Sequence, residues 1–136
     1  NVSNALNQES LIYSKISVLA HLRQKEGALK FGRMYFRETS TDGIHFHYPN
    51  CPECLLVFSR ILFHDEITIA YNASPVDSKE EYVMIDAAIN KETTYMKYIF
   101  GRSGRVKIRK KYDGEDSPLF IKLSLKTMEF LILKNS

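Results

Sequence analysis

Between residues 119 and 125 the chain reads LFIKLSL, in which Leu119, Ile121, Leu123 and Leu125 point one way while Lys122, Ser124 and the following Lys126 point the other. A period of two belongs to a strand with one covered face, because a helix instead brings together residues three and four apart. After Gly27 this period governs the chain. Residues 29–38 (LKFGRMYFRE) read as a first strand with Gly32 as a bulge. Residues 44–48 continue it or pair with it after a turn at Thr41, Asp42 and Gly43. CLLVFSRILF, residues 54–63, is nearly continuous in apolar residues and so belongs at the centre of a sheet. His64 and Asp65 turn it back into EITIAYNAS, where Ile67, Ile69 and Tyr71 share a face. Ser74 to Ser78 form a loop, and EYVMIDA, TYMKYIF, RVKIRK and EFLILK complete the set, separated by turns rich in Gly, Asp and Pro. About eight short strands with regular turn signals predict a mainly β, antiparallel sandwich or barrel rather than a parallel α/β sheet.

One segment departs from this rule. Ser10 is placed to cap a helix running to about Glu26, with Gly27 as its stop. At 100° per residue, Leu11, Ile12, Ile16, Val18, Leu19 and Leu22 span an arc of about 160°, wider than an ordinary core-facing stripe. Something large is expected to cover it. If that face is not folded back on the β body, the chain is expected to form a homo-oligomer through the N-terminal helix, since large apolar patches are rarely left wet. The change of period sets the expected boundary, with residues 1–28 as linker and helix and residues 29–136 as the β domain.

Composition agrees with a globular β protein. The hydrophobic fraction is 44% and the charged fraction 26%, and the apolar set is rich in strand formers, with eight Tyr and eight Phe but no Trp. No stretch approaches the ~20 apolar residues of a membrane span, and NVSNALNQES lacks the basic and apolar regions of a signal peptide. The chain opens on a polar run with no initiator Met, which suggests a piece of a longer polypeptide. Its net charge is +3, and RSGRVKIRKK, residues 102–111, carries six positive charges, leaving the remainder negative. A basic strip can serve nucleic acid. Here Val106 and Ile108 alternate with Lys107 and Arg109, as in a half-buried strand whose outer face is charged against edge pairing, and no nucleic-acid or membrane partner is expected.

HFHYPNCPEC, residues 45–54, holds the residues most suggestive of chemistry. His45 and His47 would share one face of a strand, and Cys51 and Cys54 have the C-x-x-C spacing of structural zinc. A single such pair is a weak signal, and a turn with free thiols is favoured over both a Cys51–Cys54 disulfide and a zinc site. Nucleophile elbows, phosphate-binding glycine loops and H-E-x-x-H are missing from the sequence. The acid pairs Asp65 with Glu66 and Glu80 with Glu81 are read as solvated carboxylates in or beside turns. No catalytic, cofactor-binding or metal residue is assigned. Tyr35, Tyr48, Tyr95, Tyr98 and Tyr112 are candidates for stacking on sugar faces, as in a carbohydrate-binding module.

Asn1-Val2, Gln8, Leu22-Arg23, Glu26, Ala28-Leu29 and Gly32 resemble the junction between the last barrel helix and the C-terminal domain in the α-amylase family of glycoside hydrolases, family 13. The resemblance continues through FHYP at 46–49, LLVFSRIL at 55–62, ITIAYNAS at 67–74, YVMIDAAIN at 82–90, YMKYIFGRSG at 95–104 and LSLKTMEFLIL at 123–133. It implies the family's domain C, an antiparallel Greek-key β-sandwich preceded by one N-terminal α-helix. It also implies that the helix turns its wide apolar face to the catalytic barrel. The family's catalytic carboxylates lie at the ends of barrel strands upstream of residue 1, so none falls on this sequence. In function, the resemblance implies a non-catalytic module of an α-amylase-like glycosidase, with the catalytic (β/α)8 barrel of the same parent chain as partner, while α-glucan as a ligand belongs to the rival reading, a carbohydrate-binding module that stacks sugars on the exposed tyrosines. Cys51 and Cys54 are not part of the family pattern.

Overall fold

A computed structural model of the chain describes residue 14 and residues 16–50 and 53–136. Residues 14 and 16–25 are helical (α1), and the expected cap Ser10 lies outside the described residues. The helical course does not stop at Gly27. Glu26 takes an extended conformation (φ −96°, ψ 108°), and a second short helix, α2, covers Gly27–Phe31. The strand expected from residue 29 is therefore absent over its first four residues, and the expected boundary at 28/29 falls inside α2. The reason is tertiary. Leu19, Leu22, Ala28 and Leu29 form one stripe that packs on Ile67, Ile69 and Ile132, and a helical path keeps all four on that surface. Gly32 ends α2 by necessity rather than as a bulge. A Cβ there would run into the Ala28 carbonyl and lie 3.0 Å from the backbone of Ile61.

Ten strands follow among the described residues: β1 (Arg33–Phe36), β2 (Thr39–Ser40), β3 (Leu55–Leu62), β4 (Asp65–Asn72), β5 (Lys79–Ile85), β6 (Tyr95–Phe100), β7 (Arg105–Lys107), β8 (Arg109–Lys110), β9 (Leu119–Leu125) and β10 (Phe130–Asn135). They form two antiparallel sheets, one in the order β1-β3-β4-β10-β6-β7 and one in the order β2-β5-β9-β8. The mainly β, antiparallel expectation holds, and the chain passes repeatedly between the layers, as a sandwich requires. CLLVFSRILF supplies β3, which sits inside the larger sheet between β1 and β4. Leu62 pairs with Asp65, so the hairpin turn is Phe63–His64, one residue earlier than the period suggested.

Between the sheets lies the main core of Leu55, Val57, Ala70, Val83, Ile85, Met96, Ile108, Leu119, Ile121, Leu123, Leu125, Leu131 and Leu133. Strand β9 shows the alternation read from its sequence, with Ile121, Leu123 and Leu125 buried and Lys122 and Ser124 exposed. The outer face of the larger sheet carries the second cluster, beneath α1 and α2. Thus the centre of the α1 arc, Leu19 and Leu22, covers this chain's own sheet, while Ile16 and Val18 at its rims stay exposed. None of the helices among the described residues is long and apolar enough to cross a membrane.

Candidate functional site

The basic strip turns the corner of the sandwich. Strand β7 is the edge of the larger sheet and β8 the edge of the smaller one, with Ile108 fully buried between them and its N–H donated to Thr94 O at 3.0 Å. Positive charge on both edge strands discourages a further strand from pairing there. Part of the charge of the strip is matched internally, by Arg102 to Glu129 at 2.9 Å and Lys110 to Glu92 at 3.5 Å.

Residues 41–48, after β2, form a loop organised by Asp42. Its Oδ1 accepts the Ser40 hydroxyl at 2.7 Å, the Ile44 N–H at 2.8 Å and the His45 N–H at 2.9 Å, while Oδ2 lies 2.8 Å from His45 Nδ1. The His45 side chain is the main cause, followed by the backbone N–H groups, of an Asp42 carboxyl held well below the usual range. His47 exchanges backbone hydrogen bonds with Thr39 and turns Nδ1 to the Tyr48 carbonyl at 3.1 Å. Cys51 lies outside the described residues. Cys54 is disulfide-bonded, so the expectation of free thiols is corrected: an oxidised sulfur offers no thiolate to a metal. Among the described residues no three His, Cys, Asp or Glu side chains are grouped as a metal site.

Acidic residues assigned to turns lie elsewhere. Glu66 is in β4 with no solvent exposure, and Glu81, in β5, is buried as well. Their partners in sequence, Asp65 and Glu80, alternate to the outside, and Glu80 meets Lys122 at 2.6 Å. Glu66 Oε2 receives the Arg37 guanidinium at 2.7 Å, and Oε1 receives Asn90 Nδ2 at 2.7 Å and the Asp86 N–H at 3.1 Å. Asn135 Oδ1 accepts the Glu66 N–H at 2.8 Å, and Asn135 Nδ2 donates to His64 O and Asn90 Oδ1. Arg37 Nε reaches Ser59 Oγ at 3.0 Å, which lies 3.2 Å from Thr68 Oγ1. Both carboxylate oxygens have donors, so the group joins strands and loops of both layers and leaves no open position for a substrate. Sequence pattern could not reveal it. Glu66, Thr68 and Asn72 alternate with Ile67 and Ile69, and the polar row is the one facing between the sheets.

The five tyrosines do not share one surface. Tyr98 packs against the main core, burial raising its hydroxyl pKa, with Arg102 over its ring at 5.3 Å. Tyr95 is covered by Arg105 at 4.1 Å, and Tyr112 sits apart in the turn before β9, its hydroxyl 3.4 Å from Asp116 O. Tyr35 and Tyr48 do come together. With Met34, Phe36, Pro49 and Leu56 they line an open groove of about 630 Å³ along the edge strand β1. All four residues of β1 are exposed, so the edge presents Met34, Tyr35 and Phe36 to solvent.

Neither a family model nor a curated relative matches the sequence. Among solved structures, the chain is similar to a debranching enzyme from Nostoc punctiforme, with a TM-score of 0.53 and 22% identity over 85% of this chain and 20% of that one. It is similar also to CldA, a cyclomaltodextrin glucanotransferase with a three-domain ABC distribution, with a TM-score of 0.57 and 18% identity over 88% of this chain and 21% of that one. The chain thus has the fold of a piece spanning about a fifth of each of these enzymes.

Proposed function

We propose that this chain is a non-catalytic C-terminal β-sandwich module of an α-amylase-like glycosidase, and that it stabilises the catalytic barrel of its parent. The observation that carries this reading is the fold shared with about a fifth of a debranching enzyme and of a cyclomaltodextrin glucanotransferase. The ordered fragments from Asn1-Val2 to LSLKTMEFLIL support it, as does the engagement of the buried Glu66 carboxylate with structural donors. Residues 1–28 are then the linker and last barrel helix. The centre of the α1 arc is held on the sandwich, and Ile16 and Val18 at the rims are left for the barrel. Two measurements test the proposal together. The purified chain is expected to release no reducing sugar from starch, and deleting residues 29–136 from the parent is expected to lower the melting temperature of the catalytic domain. Hydrolysis by the isolated chain, or an unchanged melting temperature, would refute it.

A second reading, α-glucan binding, is favoured by one observation, the convergence of Tyr35 and Tyr48 on a single open groove. Titration calorimetry with maltoheptaose should show heat that Tyr48→Ala removes. No heat at about 1 mM sugar, a typical weak affinity, disposes of this reading.

A further inference from the structure

Arg60, in β3, points to the outer face of the larger sheet, where α1 covers it. Its Nε is buried and has no hydrogen-bond partner. Water cannot reach that atom as it stands, so the N–H is a desolvated charged donor with nothing to donate to, one of the costlier arrangements a protein holds. Arg60 and Arg23 of α1 both line a cavity of about 200 Å³ between helix and sheet, with Leu19, Phe58, Ile69 and Phe130 among its apolar walls. No acid lines the slot among the described residues, and the acids close in sequence to its lining residues have other partners. Glu26 receives Lys134 Nζ at 2.7 Å, and Glu129 receives Arg102 Nη2 and the Lys126 N–H, each at 2.9 Å. Two guanidinium groups, the exposed Arg23 and the partly covered Arg60, therefore flank an apolar slot, and among the described residues neither forms an ion pair there.

We propose that this slot is a binding site for a small amphipathic carboxylate, one acid group on a stem of about one ring, with Arg60 and Arg23 as its anion partners. The volume matches a stem of about one ring, and the walls favour an apolar stem over a hydrated ion such as free phosphate. A modest rotation of the Arg60 guanidinium brings Nε and Nη to one carboxylate in the bidentate geometry that arginine forms well. Binding thus relieves the unsatisfied donor.

The experiment follows the arginine Nε–H resonances of the full 136-residue chain by NMR during titration with 3-phenylpropionate. The Arg60 signal should shift and saturate at millimolar probe, while the neutral 3-phenylpropanamide binds at least about tenfold more weakly, the equivalent of one charge-assisted hydrogen bond. Arg60→Gln should abolish the response. Arg60→Met should raise the melting temperature of the free chain by about 2–6 °C, because it removes a buried unsatisfied donor. Equal binding of the amide, a stronger response to inorganic phosphate than to phenylpropionate, or no shift of Arg60 at about 10 mM probe would each overturn the assignment. So would a fall in the melting temperature of Arg60→Met, since the donor would then have a partner in the free protein.

Discussion

Replacing Glu66 by Gln tests the polar knot between the sheets with almost no change of shape. The amide oxygen can keep the bonds from Asn90 Nδ2 and the Asp86 N–H, both to Oε1. The amide nitrogen then takes the place of Oε2, which now accepts Arg37 Nη2 at 2.7 Å, and sets donor against donor. Among the described residues Arg37 then keeps only Asp86 Oδ2, at 3.9 Å, as an acidic neighbour. One charge-assisted bond is lost, about 1.5–3 kcal/mol, and a mostly buried guanidinium is left poorly matched, which places the total near 3–4 kcal/mol. For a domain that stands only about 5–15 kcal/mol above its unfolded state, this is a large fraction. Urea denaturation of Glu66→Gln, Arg37→Met and the double variant measures it. Each single variant should lose several kcal/mol, and the double should lose less than the sum, because it removes both charges. A loss below about 1 kcal/mol in Glu66→Gln, or strict additivity, would refute the claim that this pair is desolvated and coupled.

Backbone and loop geometry set further outcomes. Phe63 turns the β3–β4 hairpin with φ +56° and an almost fully exposed side chain, so Phe63→Gly should stabilise the chain by about 0.5–1 kcal/mol by thermal melting. Gly101 has φ +89°, and a Cβ there would lie 2.5 Å from Phe130 O, so Gly101→Ala should cost about 3 kcal/mol in the same assay. The depressed Asp42 carboxyl contributes stability that is fully present above its ordinary value of 3.8 and is lost as pH falls below it. Asp42→Asn should accordingly flatten the acid limb of the stability curve, and an unchanged limb would show that the loop hydrogen bonds do not persist in solution.

How far the residues themselves reach depends on which faces are covered. Alternation in LFIKLSL is legible because one side of β9 meets the core and the other meets water. In β4 the same reading misplaces the polar row. Both faces are covered there, by the second sheet on one side and by α1 and α2 on the other, so Glu66 is buried although its row looks solvated. The stretch from Leu29 to Phe31 is short enough for either period, and the packing of Ala28 and Leu29 beside Ile67 and Ile132 selects the helix, with Phe31 left exposed. A set of five tyrosines gave no hint that only Tyr35 and Tyr48 would share a groove, because they lie 13 residues apart and meet through folding alone.

Local periodicity by itself determined that this protein is β-rich, antiparallel and led by an amphipathic helix, because strand and helix faces are properties of neighbouring residues. Only the tertiary structure decided that the helix covers the outer sheet, that Arg37 and Asn90 meet Glu66, and that Arg60 Nε is left without an acceptor. Those outcomes depend on residues tens of positions apart and on which surfaces lose their water when the layers close.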